Sequence, residues 1–237
     1  MKRLDKILSD AGVAARRELK ELIRSGRVSV DGVPVTKADT KFDETTATIT
    51  VDGRPVSTSA FVYFMLHKPA GVVTATEDRD QETVLELFPD EIRRRGIFPV
   101  GRLDKDTTGL LILTNDGEYA HKIISPKSHV DKRYMAITDG IADATDVEAF
   151  ADGIVLRDGT VCQPAKLEIT GTKVCYVTLL EGKYHQVKRM LASRGKPVEK
   201  LHRCSIGRLE LDTNLAEGNF RPLTSDEVEK SLVKMPL

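Results

Sequence analysis

Residues 101–117 read GRLDKDTTGLLILTNDG and set Arg102, Asp104 and Asp106 on a glycine-bracketed stretch that runs straight into LLIL, one of the most apolar runs in the chain. Charged side chains belong in water unless paired, so a loop pinned to a core at this point has a use for them. As plain loop residues, Asp104 and Asp106 would shape turns with Thr107, Thr108 and Gly109. As DxDxT, the triplet Asp104, Asp106 and Thr108 matches an aspartyl-phosphate phosphotransferase, whose carboxylates attack phosphate and hold magnesium. That pattern follows a hydrophobic strand, whereas here the long apolar run comes after it and only FPV precedes it. A third chemistry needs the rest of the chain.

A second cluster lies in residues 181–190, EGKYHQVKRM. On a helix through Val187, the residues Val187, Met190 and Leu191 share one face, and His185, Lys188 and Arg189 share the other. The basic groups can then point to a cleft while the helix stays packed. Between residues 181 and 208, eight basic residues stand against two acidic ones, a formal +6. Residues 1–41 hold ten against six, a formal +4. At about 100° per residue, Arg16, Lys20, Arg24 and Arg17 fall along one stripe of a helix over residues 15–24, bordering the apolar stripe of Leu19, Leu22 and Ile23. Such a stripe is either a solvated helix face or a surface that binds an RNA backbone by counterion release.

The elements that must position these groups follow from pattern. Residues 4–8 and 15–24 predict two short helices, RVSVDGVPV a hairpin with an Asp-Gly turn, and TATITV a further strand. The polar, proline-containing residues 54–60 divide this part from the rest, so the domains are expected at 1–56 and 57–237. Downstream, FVYFML, LLILT, RYMAIT, AKLEI, KVCYVTLL and RLELD predict strands. ETVLELF, GEYAHKII, TDVEAFADG and YHQVKRMLASRG predict helices. The fold class is α+β: a small N-terminal α/β domain, and a larger domain on a mixed, largely antiparallel sheet.

The bulk composition excludes more than it assigns. Lys plus Arg and Asp plus Glu number 36 each, so net charge carries no sign of nucleic acid and any basic surface must come from segregation. Cys162, Cys175 and Cys204 form no CxxC pair, which argues against a disulfide framework or a zinc module and fits a reduced cytoplasmic setting. No 18 apolar residues run together and the N-terminus interleaves charges, so neither a membrane span nor a signal peptide is expected. Nothing in the sequence demands a dimer, and a monomer is expected.

Two resemblances organise these residues. Residues 2–50 resemble the S-four-type RNA-binding domain at Arg3, Leu4, Asp5, Arg16, Leu22, Ile23, Gly26, Val28, Val30 and Gly32, with the departure that Ala15 stands where relatives often have serine. The order GRLDKDTTGLLILTNDG, KRYMAI at residues 132–137 and EGKYHQVKRM resembles the aspartate, tyrosine and basic motifs of the pseudouridine synthases. With HKPAG around Lys68 and Pro69, LHR at Leu201 and FRPLT near the C-terminus, that likeness covers residues 61 to about 225.

The resemblance implies an isomerase that needs no cofactor and no metal. Asp104 would act on the ribose or the base as nucleophile or base, and Asp106 would order the loop. A carboxylate in a dry pocket tends to hold its proton, so it requires a nearby cation. Lys188 takes that part by resemblance, a point charge where relatives usually have the planar fork of arginine, with Arg189 as the alternative. Tyr134 would lie against the uracil, Leu201 under it, and Arg102 in the space left by the flipped base. RNA contacts would fall to Arg3, Arg16, Arg17, Lys20, Arg24, Lys183, His185, Gln186 and Arg203, while His121 and His129 are structural. The wording KYHQVKRM with LHR is similar to the branch acting on uridine 516 of 16S ribosomal RNA, within a small-subunit assembly intermediate. The alternatives are a large-subunit (23S) synthase and a non-catalytic RNA-binding assembly protein.

Overall fold

Asp31 and Gly32 take positive φ of 51° and 80°, the two-residue turn that an Asp-Gly pair forms most readily, and the chain reverses there as expected. The structure is a computed structural model of the chain. It describes residues 1–56, 58, 61–125 and 127–234, and of Arg16 the backbone alone. The first elements are β1 (Lys2–Arg3), α1 (Leu4–Asp10), α2 (Arg16–Arg24), β2 (Val28–Val30), β3 (Val33–Pro34), β4 (Lys41–Phe42), β5 (Ile49–Val51) and β6 (Arg54–Pro55). After them come β7 (Tyr63–Lys68), α3 (Asp90–Arg93), β8 (Phe98–Pro99), β9 (Thr108–Thr114), α4 (Gly117–Ile124), β10 (Lys132–Thr138) and α5 (Ala144–Asp152). The chain ends with β11 (Lys166–Gly171), β12 (Val174–Leu179), α6 (Gln186–Ser193), β13 (Val198–Ile206), β14 (Leu209–Glu210), β15 (Phe220–Pro222) and α7 (Ser225–Leu232).

Two compact units result: Met1–Val62 with Phe88–Phe98, and Tyr63–Leu87 with Pro99–Leu237. The division read from sequence, after residue 56, lies upstream of this one. Arg54 and Pro55 of the expected linker form β6, paired with β5, and residues 57, 59 and 60 lie outside the described residues. Residues 88–98 join the first unit although the chain enters and leaves them from the second, and the backbone of Gly12 packs against Glu91 and Arg95.

In the first unit, Leu4, Ile7 and Leu8 of α1 and Leu19 and Ile23 of α2 meet Val28, Val30 and Ile49 in one core. Burying each of these side chains contributes about 1.5–3 kcal/mol before the entropy of ordering is subtracted. The N-cap of α2 is incomplete. The Glu18 carboxylate accepts from the Ala15 N–H at 3.1 Å, but alanine offers no oxygen in return. Ala15→Ser is therefore expected to stabilise the chain by about 1 kcal/mol, read as a higher denaturation midpoint at unchanged m-value.

The second unit carries the larger sheet, with strands in the order β11-β12-β10-β13-β9-β7-β15. Only β13 and β9 run parallel along this path, so the sheet is mixed and largely antiparallel, as expected. Phe150 of α5 and Val187, Met190 and Leu191 of α6 cover one part of it, over Ala136, Leu167, Val177 and Leu201. Gly109 explains how β9 and β13 approach so closely: at φ +108°, a Cβ there would lie 2.3 Å from the Arg203 carbonyl oxygen and 2.6 Å from its nitrogen. Residues 82–88, expected as a helix, form instead a bridge from Thr83 to Val73 and a turn. There the Glu86 carboxylate accepts from both the N–H and the hydroxyl of Thr83, at 3.1 and 3.2 Å, a local bond that competes with the helical one.

Candidate active site

Residues 101–107 form a loop tied down at nearly every step. The Thr74 hydroxyl donates to the Leu103 carbonyl at 2.7 Å and accepts from the Leu103 N–H at 3.2 Å. The Gly71 N–H donates to the Lys105 carbonyl at 2.8 Å, and the Thr107 N–H to the Asp104 carbonyl at 3.1 Å. Lys68, at the end of β7 and wholly buried, spends its ammonium on three carbonyls: Pro69 at 2.9 Å, Lys105 at 3.3 Å and Thr107 at 3.0 Å. Burial pushes its pKa down to about 8, against the pull of Asp106 and Asp104. Sequence inspection singled out HKPAG only as a motif; the cue to this tether was a lysine closing an apolar strand. Lys68→Met should lower kcat by about ten- to a hundredfold by loosening the loop, with RNA affinity within about twofold, as single-turnover kinetics and titration would report.

On this base Asp104 is three-quarters shielded and faces two basic groups. Its Oδ2 lies 3.1 Å from Lys188 Nζ, and its Oδ1 lies 3.4 Å from His185 Nε2. Lys188 also donates to Asp106 Oδ1 at 2.5 Å, so one ammonium bridges both carboxylates of the loop. Burial alone would lower the Lys188 pKa, but its bonds to Asp106 and Asp104 outweigh it and the group is raised. Asp106, mostly exposed, is held below its ordinary value chiefly by that same bond. Arg189 faces another way, with its guanidinium 2.5 Å from Asp158 Oδ2 and 3.3 Å from the Tyr184 carbonyl. The alternative cation for Asp104 is thus engaged elsewhere.

The helix that carries Lys188, α6, is clamped at both ends. At its start the buried Gln186 donates to Glu181 Oε1 at 2.7 Å and accepts from the Lys183 N–H at 2.9 Å. Glu181 also accepts from the Gln163 N–H and Lys183 Nζ, at 2.9 and 2.7 Å. Burial would raise Glu181, yet these donors hold it below its ordinary value. Beyond the end of α6, Arg194 and Lys196 reach the fully buried Asp146 of α5 at 2.9 and 2.7 Å. Neither Glu181 nor Asp146 was picked out from sequence, where each is one acidic residue among many.

The sheet brings the remaining residues to one level. Paired positions run across six strands as Leu167, Val177, Tyr134, Arg203, Gly109 and Lys68. Tyr134 is therefore two strands, about 10 Å in backbone, from Gly109, the second residue of β9. Tyr134 packs against the core that contains Leu201 and Val187. Arg102 is exposed, and no hydrogen bond or ion pair of its side chain is found among the described residues.

Several residues expected to touch RNA are otherwise occupied. Arg203 is 3% exposed and donates to the Leu110 carbonyl at 2.7 Å, so it is a core cation of β13. Gln186 is buried, and Lys183 is spent on Glu181 and the Val161 carbonyl. The +6 of residues 181–208 is largely offset by Asp104, Asp106, Asp146 and Asp158 from outside the segment. In the first unit, Arg3 is held by Asp5 at 2.7 Å. Arg17, Lys20 and Arg24, in contrast, are exposed on α2 and line a depression of about 380 Å³ with Glu21 and Ser25. The Arg16 side chain lies outside what is described. This stripe keeps the unpaired charge that an RNA backbone requires.

A carboxylate locked on a tethered loop, bridged by a lysine from a clamped helix, is the arrangement that the aspartate and basic motifs imply. The sequence profile of the RNA pseudouridylate synthase family matches residues 62–193, more than half of the chain. The chain belongs to that family. Its N-terminal part matches the S4 domain over residues 2–46. This synthase is 44% identical over 230 residues to the uncharacterized RNA pseudouridine synthase YtzG of Bacillus subtilis, covering 95% of this chain and 96% of that one. It is 41% identical over 227 residues to ribosomal small subunit pseudouridine synthase A of Vibrio cholerae, covering 95% and 97%. With the protein of the same name from Escherichia coli K12 it shares 41% over 229 residues, covering 95% and 98%. A crystal structure of a pseudouridylate synthase aligns with a TM-score of 0.70 at 37% identity, over 98% of this chain and all of the other.

Proposed function

We propose that this synthase converts one uridine of small-subunit ribosomal RNA to pseudouridine, the counterpart of uridine 516 in 16S RNA, with Asp104 as the catalytic carboxylate. The observation that carries the reading is the 3.1 Å contact of Asp104 with Lys188, on a loop held by the buried Lys68. The substrate class is supported by relatives named ribosomal small subunit pseudouridine synthase A that match along nearly their whole length.

The reaction breaks the N1–C1′ bond, turns the uracil over and joins C5 to C1′; C5 loses its proton and N1 gains one, with no change of oxidation state. No oxidant, reductant or cofactor enters that balance. Asp104 acts as nucleophile or base at the ribose or the base, with the Lys188 ammonium 3.1 Å away as its cationic partner. A base inside a stack is out of reach, so the uridine is extruded, with Arg102 filling the space it leaves and Tyr134 and Leu201 packing against the uracil. The exposed cations of α2 hold RNA phosphates. The substrate is an assembly intermediate, accessible before the subunit closes over the site, and the protein acts as a monomer in the cytoplasm. No helix among the described residues is long and apolar enough to cross a membrane.

Mapping pseudouridines in ribosomal RNA from cells lacking this protein tests the reading. One small-subunit site should vanish and return with the wild-type gene. An unchanged map would leave a non-catalytic RNA-binding protein, and a loss in large-subunit RNA would move the substrate.

A further inference from the structure

Next to Asp104, at the residues that lead into α6, lies a feature with no part in the chemistry above. Tyr184 is 70% exposed, the most exposed aromatic residue among the exposed large hydrophobics described. Its ring stacks on that of His185, with centroids 3.9 Å apart and planes 17° from parallel. His185 in turn places Nε2 3.4 Å from Asp104 Oδ1. The backbone is unusual here: His185 sits in the left-handed region, φ 48° and ψ 35°, directly before α6. A residue with a β-carbon holds that conformation only when its surroundings enforce it, and such strain gathers at functional positions. Arg189, itself paired with Asp158, donates to the Tyr184 carbonyl at 3.3 Å and fixes the turn from behind.

We propose that the stacked pair Tyr184–His185 is a platform for an RNA base next to the target uridine. A solvent-facing tyrosine ring, already ordered by a parallel ring beneath it, offers a flat π-surface at little entropic cost, and unstacked bases bind such surfaces irrespective of sequence. The pair begins at the catalytic carboxylate. With a uridine at Asp104, the group nearest this pair is a nucleotide covalently joined to that uridine, which favours a flanking base over a protein partner. Extruding the uridine also breaks its neighbour's stacking, and the Tyr184 ring replaces the face that is lost. The inference rests on reading Asp104 as the catalytic carboxylate.

The test uses the full-length protein and a hairpin containing the uridine that the wild-type protein converts, with 2-aminopurine placed at each flanking position in turn. Asp104→Asn serves as the binding-competent background. The fluorescence of one flanking 2-aminopurine should be quenched on binding in this background and with Tyr184→Phe added, but not with Tyr184→Ala added. In the otherwise wild-type protein, Tyr184→Ala should raise KM by about 5- to 150-fold with kcat within about threefold, and Tyr184→Phe should behave as wild type. An unchanged KM for Tyr184→Ala, or no flanking position whose signal depends on ring 184, overturns the platform. Turnover by Asp104→Asn itself would overturn the catalytic reading instead, and the two failures are separately visible. Because the ring is exposed, Tyr184→Ala should fold normally, and an unchanged circular dichroism spectrum confirms that a raised KM is not unfolding.

Discussion

Asp104→Asn is expected to abolish pseudouridine formation, lowering kcat by about 10⁴-fold or more while RNA affinity stays within about twofold of wild type. Asparagine keeps the shape of the side chain and can still meet Lys188, but its neutral amide lacks the negative charge that gives a carboxylate its nucleophilicity and basicity. The loop should not collapse, because its anchors lie elsewhere: Thr74 on Leu103, Gly71 and Lys68 on Lys105, and Lys68 again on Thr107. Single-turnover conversion with equilibrium binding separates the two effects. A variant that keeps a tenth of the wild-type rate would remove Asp104 from the chemistry.

Lys188→Met comes next, with an expected loss of about 10²- to 10³-fold in kcat. The ammonium is one-fifth exposed and bonds to two carboxylates, so its removal takes from Asp104 and Asp106 the cation that they share. The signs of the shifts define when the bridge is present. Asp106 is lowered from 3.8, so its contribution is lost only as pH falls through that lowered value. Lys188 is raised from 10.5, so its contribution is lost only as pH rises through that raised value. Across the neutral range the bridge is intact, and the wild-type pH–rate profile should show no limb from it. Lys188→Arg should recover much of the rate, since it restores the charge. An inactive arginine variant with wild-type folding would mean that the compact point charge, rather than charge alone, is required.

The parts legible in the sequence were those whose physics is local. The Asp31–Gly32 hairpin, the amphipathic α2 and the apolar β7 and β9 each announce themselves within a few residues. Asp104 and Lys188 were found as a pair because their motifs stand in a recognisable order, 84 positions apart in numbering, not because any local rule joins them. What escaped depends on distant partners. Strand β13 alternates buried Leu201, Arg203 and Ser205 with more exposed residues, and two of those three are polar, so it reads as a surface segment although it lies mid-sheet. The charge of residues 181–208 misled for the same reason: the carboxylates that offset it, Asp104, Asp106, Asp146 and Asp158, all come from other parts of the chain. On α2 no such partners arrive, and the basic stripe read from the helical wheel persists at Arg17, Lys20 and Arg24.

Conversion of uridine to pseudouridine replaces the C5–H bond by a C5–C1′ bond, so every turnover frees one hydrogen to solvent. Small-subunit RNA carrying tritium at C5 of its uridines, mixed with excess purified protein, therefore reads the reaction directly. Wild type should release tritium to a plateau of one uridine per RNA, and Asp104→Asn should bind the same RNA and release none. Equal release by the two proteins, or none by wild type on every ribosomal RNA precursor tried, would contradict an aspartate-driven uridine isomerase.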